Sequence, residues 1–245
     1  MLSGNFAKPG TAYTCNGLGN VGAGPEGGKS PVLGGRIISG LVPANIIPDE
    51  VMADHPNHYR AMIIESGNPV HSLPDSPKWR KAMHALECSV VIDIAMTETA
   101  READYVLPAT TQLEKAEATF FNFEFPENYF HVRAPLFPAP GGVLDEAEIQ
   151  ARITEALGGI PSGILDELNS ALTEGGREAF RNLVFKKLGD DPAIGRIAPV
   201  LLYRTLGKTL PNKMQNAAAV WAVCHQHALA KRSSVEAAGI TGEGM

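Results

Sequence analysis

Ala61-Met62-Ile63-Ile64, Val90-Val91-Ile92-Asp93-Ile94 and Tyr105-Val106-Leu107-Pro108 are three short apolar runs within fewer than fifty residues. The first is continuously apolar, as expected of a strand covered on both faces. It ends in Glu65-Ser66-Gly67-Asn68-Pro69, where Gly and Asn permit unusual backbone angles and Pro stops further pairing. Ser76-Pro77 then opens a helix, with Ser as the cap and Pro at the first helical position. Lys78 to Glu87 continues it and puts Trp79, Met83 and Leu86 on one face. After the second run, Thr97-Glu98-Thr99-Ala100-Arg101 reads as a short capped helix with Glu98 near its positive end. Strand, helix, strand, helix, strand at this spacing predicts a βαβαβ unit with parallel strands.

Outward from this block, residues 1–60 are irregular and rich in glycine. Gly17-x-Gly19-x-x-Gly22 matches a dinucleotide fingerprint, but that motif works only between a buried strand and a helix that receives phosphates. Its flanks are weakly apolar before and too rich in Gly and Pro after. Gly28-Lys29-Ser30 ends like a phosphate loop, yet the first glycine that loop requires falls on Ala23. A draped loop is the expectation for this zone. Residues 161–245 show apolar residues three or four apart, punctuated by Gly175-Gly176, Asp190-Asp191-Pro192 and Leu210-Pro211-Asn212, and read as helical. The predicted fold class is therefore α/β: a parallel-sheet βαβ domain with glycine-rich loops and a mainly helical C-terminal lobe. The expected divisions are 1–60, 61–160 and 161–245.

Composition narrows the function. A formal charge of -6 gives no clustered Lys and Arg for nucleic acid or an acidic membrane. Met1-Leu2-Ser3-Gly4-Asn5-Phe6 has no basic stretch followed by an apolar run. No segment reaches the roughly 18 consecutive apolar residues of a membrane helix. Cys15, Cys88 and Cys224 stand apart, without zinc or iron–sulfur spacing, and Cys88 and Cys224 read as small core hydrophobes. A reducing cytoplasm is the expected setting. Cys224, His225 and His227 point different ways on a helix and cannot converge on one ion.

Parallel sheets place ligands at the carboxyl ends of their strands. Those ends carry Gly67-Asn68-Pro69, Asp93 through Thr97, and Pro108-Ala109-Thr110. A carboxylate such as Asp93 in a Val and Ile strand must be paired or hydrogen-bonded if buried. It can accept two parallel N–H bonds of the kind that the N1 and N2 edge of guanine presents. The alternative is a cap or a salt bridge near the strand end, and ligand binding is the favoured reading. Ser66, Asn68, Ser72 and Thr97 add hydroxyls and an amide suited to ribose and phosphate.

The block from Gly67-Asn68-Pro69 through Val91-Ile92-Asp93, Thr97-Glu98-Thr99-Ala100 and Ala103-Asp104-Tyr105-Val106-Leu107-Pro108 resembles the molybdopterin oxidoreductases of the dimethyl sulfoxide reductase superfamily. Leu113-Glu114, Thr119-Phe120-Phe121-Asn122, Pro138-Ala139-Pro140-Gly141 before a helix at Asp145–Leu157, and Gly4-Asn5-Phe6-Ala7-Lys8-Pro9-Gly10 extend the likeness over roughly residues 1–160. The resemblance implies a bis(molybdopterin guanine dinucleotide) cofactor carrying molybdenum or tungsten. It makes residues 61–160 the domain that binds that dinucleotide and residues 1–60 a segment of the cofactor funnel. It implies that Ser66, Gly67, Asn68, Pro69 and Ser72 hold a guanosine phosphate end and that Asp93 reads the guanine. Thr97, Pro108 and Ala109 complete that pocket.

The family's four-cysteine iron–sulfur domain, its upstream metal ligand, its second dinucleotide-binding half and its carboxyl-terminal barrel have no counterpart in these residues. The usual Gly-Arg after Asn122 is replaced by Phe123-Glu124. The chain therefore reads as an internal part of such an enzyme, with an iron–sulfur cluster expected only upstream. Its expected partners are the remaining domains or subunits and an electron-transfer protein. Two other readings remain: a non-catalytic scaffold of the same fold inside a redox complex, and a nucleotide enzyme that uses Gly17 to Gly22. Intact Asp93 and Asn68 favour the catalytic family over the scaffold.

Overall fold

The computed structural model describes residues 28–37, 41–118, 131–237 and 239. The stretch 4–10, Cys15, the glycines at 17–22 and the 119–128 segment lie outside them. The described residues fall into two compact units, one ending at Ala109 and the other beginning at Thr110.

The first unit opens on a turn. Lys29 and Arg36 form an antiparallel bridge, with Ser30 N donating to Gly35 O at 2.8 Å. Glu50 clamps that turn from helix α1 (Ile47–Met52). It is fully buried, and its two carboxylate oxygens accept from Val32 N and Leu33 N at 2.9 Å each. Gly28-Lys29-Ser30 therefore begins a hairpin-like turn, in keeping with its failure as a phosphate loop. Strand β1 (Ala61–Glu65), short helix α2 (Pro69–Ser72), helix α3 (Ser76–Ala85), strand β2 (Cys88–Asp93), a single 3-10 turn at Ala100–Glu102 and strand β3 (Tyr105–Pro108) follow. The strands pair in the order β1-β2-β3, both pairs parallel, with Ile63 opposite Val90 and Val90 opposite Tyr105. The three parallel strands and the helical first crossover are as predicted, whereas the short helix expected at Thr97–Arg101 is only a 3-10 turn.

One face of this sheet makes the core. Ile64 and Val91 pack with Val51 of α1, Val70 of α2 and Trp79, Ala82 and Met83 of α3, while Met62 and Val106 border them. Trp79, Met83 and Leu86 share the buried face that helical spacing requires. The other face differs from expectation. Ile63 is 50% exposed and Tyr105 62%, while Ile92 of the central strand, on that same face, is fully buried, so among the described residues cover on this face is lost toward the flanking strands. All three helices before and after β1 pack on the side that presents Met62 and Ile64. A run of consecutive apolar residues does not record that asymmetry.

The α3 cap also differs. Asp75, in the left-handed region at φ 63°, is the N-cap and accepts from Lys78 N at 3.1 Å. Ser76 is already the first helical residue and Pro77 the second. Asp outcompetes Ser because its carboxylate both accepts the free N–H and meets the positive end of the helix.

The second unit holds a two-stranded antiparallel ladder, β4 (Glu117–Ala118) with β5 (Val132–Arg133), and then helices. These are α4 (Glu146–Ala156), α5 (Ile164–Asp190), α6 (Ile194–Arg204), α7 (Ala218–Ala230) and α8 (Arg232–Ala237). Asp145 caps α4 by accepting from Glu148 N at 2.7 Å. Within α5, Gly176 breaks the helix at φ 69° and ψ -166°, a region that only glycine enters readily. Ile164, Leu168, Phe180, Val184, Leu201, Leu202 and Leu206 form the core of this unit, and Trp221 of α7 packs on it with its ring 5.8 Å from that of Phe180. The helical lobe is as predicted. Cys224, however, is exposed and Cys88 only half-buried, so neither is the fully buried small hydrophobe expected. An almost wholly apolar α7 has no polar stripe to show which side faces out.

Candidate functional site at the carboxyl edge of the sheet

Three connections leave the carboxyl ends of β1, β2 and β3 on the same edge, and they carry every predicted binding residue. At the end of β1 the chain turns at Ser66, which takes a left-handed φ of 52° while its N–H donates to Ile92 O at 3.0 Å. The unusual angle thus falls on Ser66 and not on Gly67 or Asn68. A non-glycine residue held there is conformationally costly and marks an over-determined loop. Ser66 is exposed, and Gly67 is half-buried in ordinary contact distance of Ile64.

Asn68 does not point outward. Its Oδ1 accepts from Thr99 N at 3.1 Å and from Thr99 Oγ1 at 2.8 Å, and its Nδ2 donates to Glu98 Oε2 at 2.7 Å. Thr99 is fully buried, and its Oγ1 in turn accepts from Val70 N at 3.0 Å. Pro69 begins α2, and Ser72 Oγ donates back to Asn68 O at 2.8 Å. Glu98 is held below the usual carboxylate range, first by the hydrogen bond from Asn68, then by its own backbone, with smaller help from His71 and Arg101.

At the end of β2, Asp93 is half-buried. Its Oδ1 accepts from Ile94 N at 2.7 Å and Ala95 N at 3.2 Å, closing a turn that lifts the chain off the sheet. The capping role foreseen for Asp93 is therefore real for one oxygen. Among the described residues Oδ2 carries no partner. The turn leaves Ile94 63% and Met96 59% exposed, two apolar side chains beside a carboxylate. Thr97 Oγ1 accepts from Ala100 N at 3.2 Å and caps the 3-10 turn.

β3 closes the third side. Pro108 lies opposite Asp93 in register, and Ala109 N donates to Asp93 O at 3.0 Å. Pro108 is exposed and Ala109 buried. The edge thus brings Ser66, Gly67, Asn68, Pro69, Ser72, Asp93, Thr97, Pro108 and Ala109 into neighbouring loops. The Asn68, Ser72 and Thr97 side chains bond within the protein, whereas the Ser66 hydroxyl and Asp93 Oδ2 have no partner among the described residues. Sequence reasoning gave Thr99, Glu98, Ile94 and Met96 no individual part in the site. Only the Thr-x-Thr spacing marked Thr99, and nothing local distinguished the inward threonine from Thr97. Among the described residues no group of three or more His, Cys, Asp or Glu is arranged to hold a metal, and none of their helices is long and apolar enough to cross a membrane.

A carboxylate and a strained loop thus stand at the carboxyl edge of a parallel sheet, the edge at which α/β domains of this class place their ligands. Residues 9–155, well over half of the chain, match the family model for molybdopterin oxidoreductase, and the chain belongs to that family. Family membership implies a pterin cofactor of molybdenum or tungsten. Among its relatives is the F420-dependent formate dehydrogenase subunit alpha of Methanocaldococcus jannaschii, 30% identical over 174 residues, covering 64% of this chain and 25% of the relative. The F420-dependent formate dehydrogenase 1 subunit alpha of Methanococcus maripaludis is 32% identical over 145 residues, covering 51% of this chain and 21% of that protein. The assimilatory nitrate reductase catalytic subunit of Bacillus subtilis is 32% identical over 99 residues, covering 40% and 13%. The chain spans about a quarter of the length of the M. jannaschii relative.

Proposed function

We propose that this chain supplies the part of a molybdopterin-dependent oxidoreductase that holds the guanosine end of a bis(molybdopterin guanine dinucleotide) cofactor. One observation carries the reading: Asp93, at the end of the central strand and in register with Pro108, uses Oδ1 to close its own turn and keeps Oδ2 without a partner among the described residues. Guanine offers adjacent N1–H and N2–H donors, which suit a carboxylate acceptor, and a purine ring has an apolar face for Ile94 and Met96. The Ser66-Gly67-Asn68-Pro69 backbone with the Ser66 hydroxyl flanks the ribose and phosphate side, bounded by Ser72, and Thr97, Pro108 and Ala109 wall the base side. These residues fit the group in polarity and in placement on the ligand-bearing edge.

When bound, the molybdenum or tungsten pterin supplies the redox chemistry. The chain's own part would be to bind and orient the nucleotide end. Metal ligation, an iron–sulfur cluster and substrate specificity belong, in this reading, to remaining domains or subunits, with an electron-transfer partner beyond them. Few and unpatterned cysteines support a cytoplasmic setting.

The test is titration of the 245-residue chain with guanosine 5′-diphosphate, with adenosine 5′-diphosphate as the control. Asp93→Asn keeps an oxygen for the Ile94 turn but presents an N–H donor or a neutral oxygen to guanine. Charge-assisted hydrogen bonds are worth about 1.5–3 kcal/mol, so the variant should bind about 10- to 100-fold more weakly. Equal affinity for the two nucleotides, or none lost in Asp93→Asn, would sink the assignment.

A further inference from the structure

Asn68 looks like a ligand residue in the sequence, yet the structure gives its side chain a different task. The amide oxygen takes two hydrogen bonds from Thr99 and the amide nitrogen gives one to Glu98, across a separation of about thirty residues. Thr99 Oγ1 passes the connection on to Val70 N, at the start of α2. Through these four bonds the loop after β1 is tied to the loop after β2. Thr99 is fully buried, so breaking the set leaves unsatisfied groups away from water.

Electrostatics argues in the same direction. The Glu98 carboxylate sits 2.7 Å from Asn68 Nδ2 and is stabilised in its charged form. A phosphate seated on that amide would meet a fixed negative charge at contact distance, which is repulsive even in a watery site. Asn68 is therefore a poor phosphate donor and a good strut.

We propose that Asn68 and Thr99 form a latch that fixes the β1 loop against the β2 loop, so that the Asn68 side chain positions the nucleotide-binding edge without touching the ligand. The edge depends on it because Ser66 is on one loop and Asp93 leads into the other. Loops that must be ordered at the moment of binding weaken affinity by the cost of that ordering, and a pre-formed latch removes it. The idea rests on the guanosine-binding reading for its ligand, but the latch itself is a property of the free chain.

The experiment uses the full chain with four variants: Asn68→Ala, Thr99→Val, Thr99→Ser and the double variant Asn68→Ala with Thr99→Val. Amide hydrogen exchange is followed without ligand, and guanosine 5′-diphosphate affinity is measured at a temperature where every variant is folded. In Thr99→Val the amides of 66–70 and 94–99 should exchange about tenfold faster or more, while those of β1 and β2 keep their protection. Asn68→Ala and Thr99→Val should each weaken nucleotide binding about tenfold, the double variant no more than either, and Thr99→Ser should restore it. Multiplicative losses would mean that Asn68 contacts the ligand on its own, and the proposal fails. Faster exchange with unchanged affinity would reduce the pair to a structural role, and it fails again. Absence of nucleotide binding by the unaltered chain defeats the guanosine reading; the latch then stands if Thr99→Val loosens both loops, and falls if their exchange is unchanged.

Discussion

Arg204 at the end of α6 reaches two turns of α4 at once, donating from Nη1 to Glu148 Oε2 at 2.5 Å and from Nε to Glu155 Oε1 at 2.6 Å. Its side chain is 14% exposed and that of Glu148 18%, so this pair is largely removed from solvent, while Glu155 is 40% exposed. Glu148 also accepts from Arg152 at 2.7 Å, and Glu155 accepts a second bond from Arg204 Nη2 at 3.0 Å. A planar fork with five donors can serve two carboxylates where a single ammonium cannot.

Arg204→Lys keeps the charge and loses the fork. One carboxylate near the α4–α6 contact is then left without its partner, at a cost of about 1–2 kcal/mol. The helical unit should melt several degrees lower, with the change visible in near-ultraviolet circular dichroism. A melting temperature equal to that of the unaltered chain would show the pairing to be energetically neutral.

Glu50 gives the first unit an acid-sensitive fastening. Burial pushes its carboxyl up, but hydrogen bonds from Ser30, Leu33 and Val32 outweigh this and hold it below the ordinary value. The charged form is the one the fold prefers. Its contribution is therefore complete above the unfolded value near 4.5 and is lost as pH falls through the lower folded value. Glu50→Gln should cost about 2 kcal/mol at pH 7, since an amide offers one acceptor oxygen to two N–H groups. Below pH 4 the gap between the two proteins should close, and thermal melts from pH 7 to pH 3 would show whether it does.

Gly176 interrupts α5 at backbone angles that disfavour any side chain. A Cβ there would meet nothing within 4 Å, so crowding plays no part in the effect of a substitution. Gly176→Ala should destabilise the helical unit by about 1–3 kcal/mol through backbone strain alone. Urea unfolding followed at Trp221 checks this, and a stabilised variant would mean that the helix runs straight through the site without penalty.

The three strands and most of the helices were legible because each rests on a pattern several residues long. Ala61 to Ile64 is apolar in a row, and Trp79, Met83 and Leu86 repeat at helical spacing. What escaped notice depends on single atoms or on distant neighbours. Asp75 took the cap from Ser76 by one residue, and Ser66 took the strained angle that Gly67 seemed made for. Ile63 reads as core but lies on the face turned away from α1, α2 and α3, which is decided by the side on which those helices pack. Asp93 stands out as a carboxylate in a Val and Ile strand, but no pattern shows that the Ile94 and Ala95 amides supply partners to its Oδ1 locally. Asn68 and Thr99 are 31 positions apart, and no local rule pairs an asparagine with a threonine across that distance.

The two tryptophans of the chain are divided between the units. Trp79 is sealed in the α/β core, and Trp221 lies against Phe180 and His225 in the helical lobe. Each compact half thus carries a private fluorophore, and a Trp79→Phe or Trp221→Phe background silences one of them. Emission in such a background reports whether one half unfolds while the other persists, so cooperativity between the halves becomes an optical quantity.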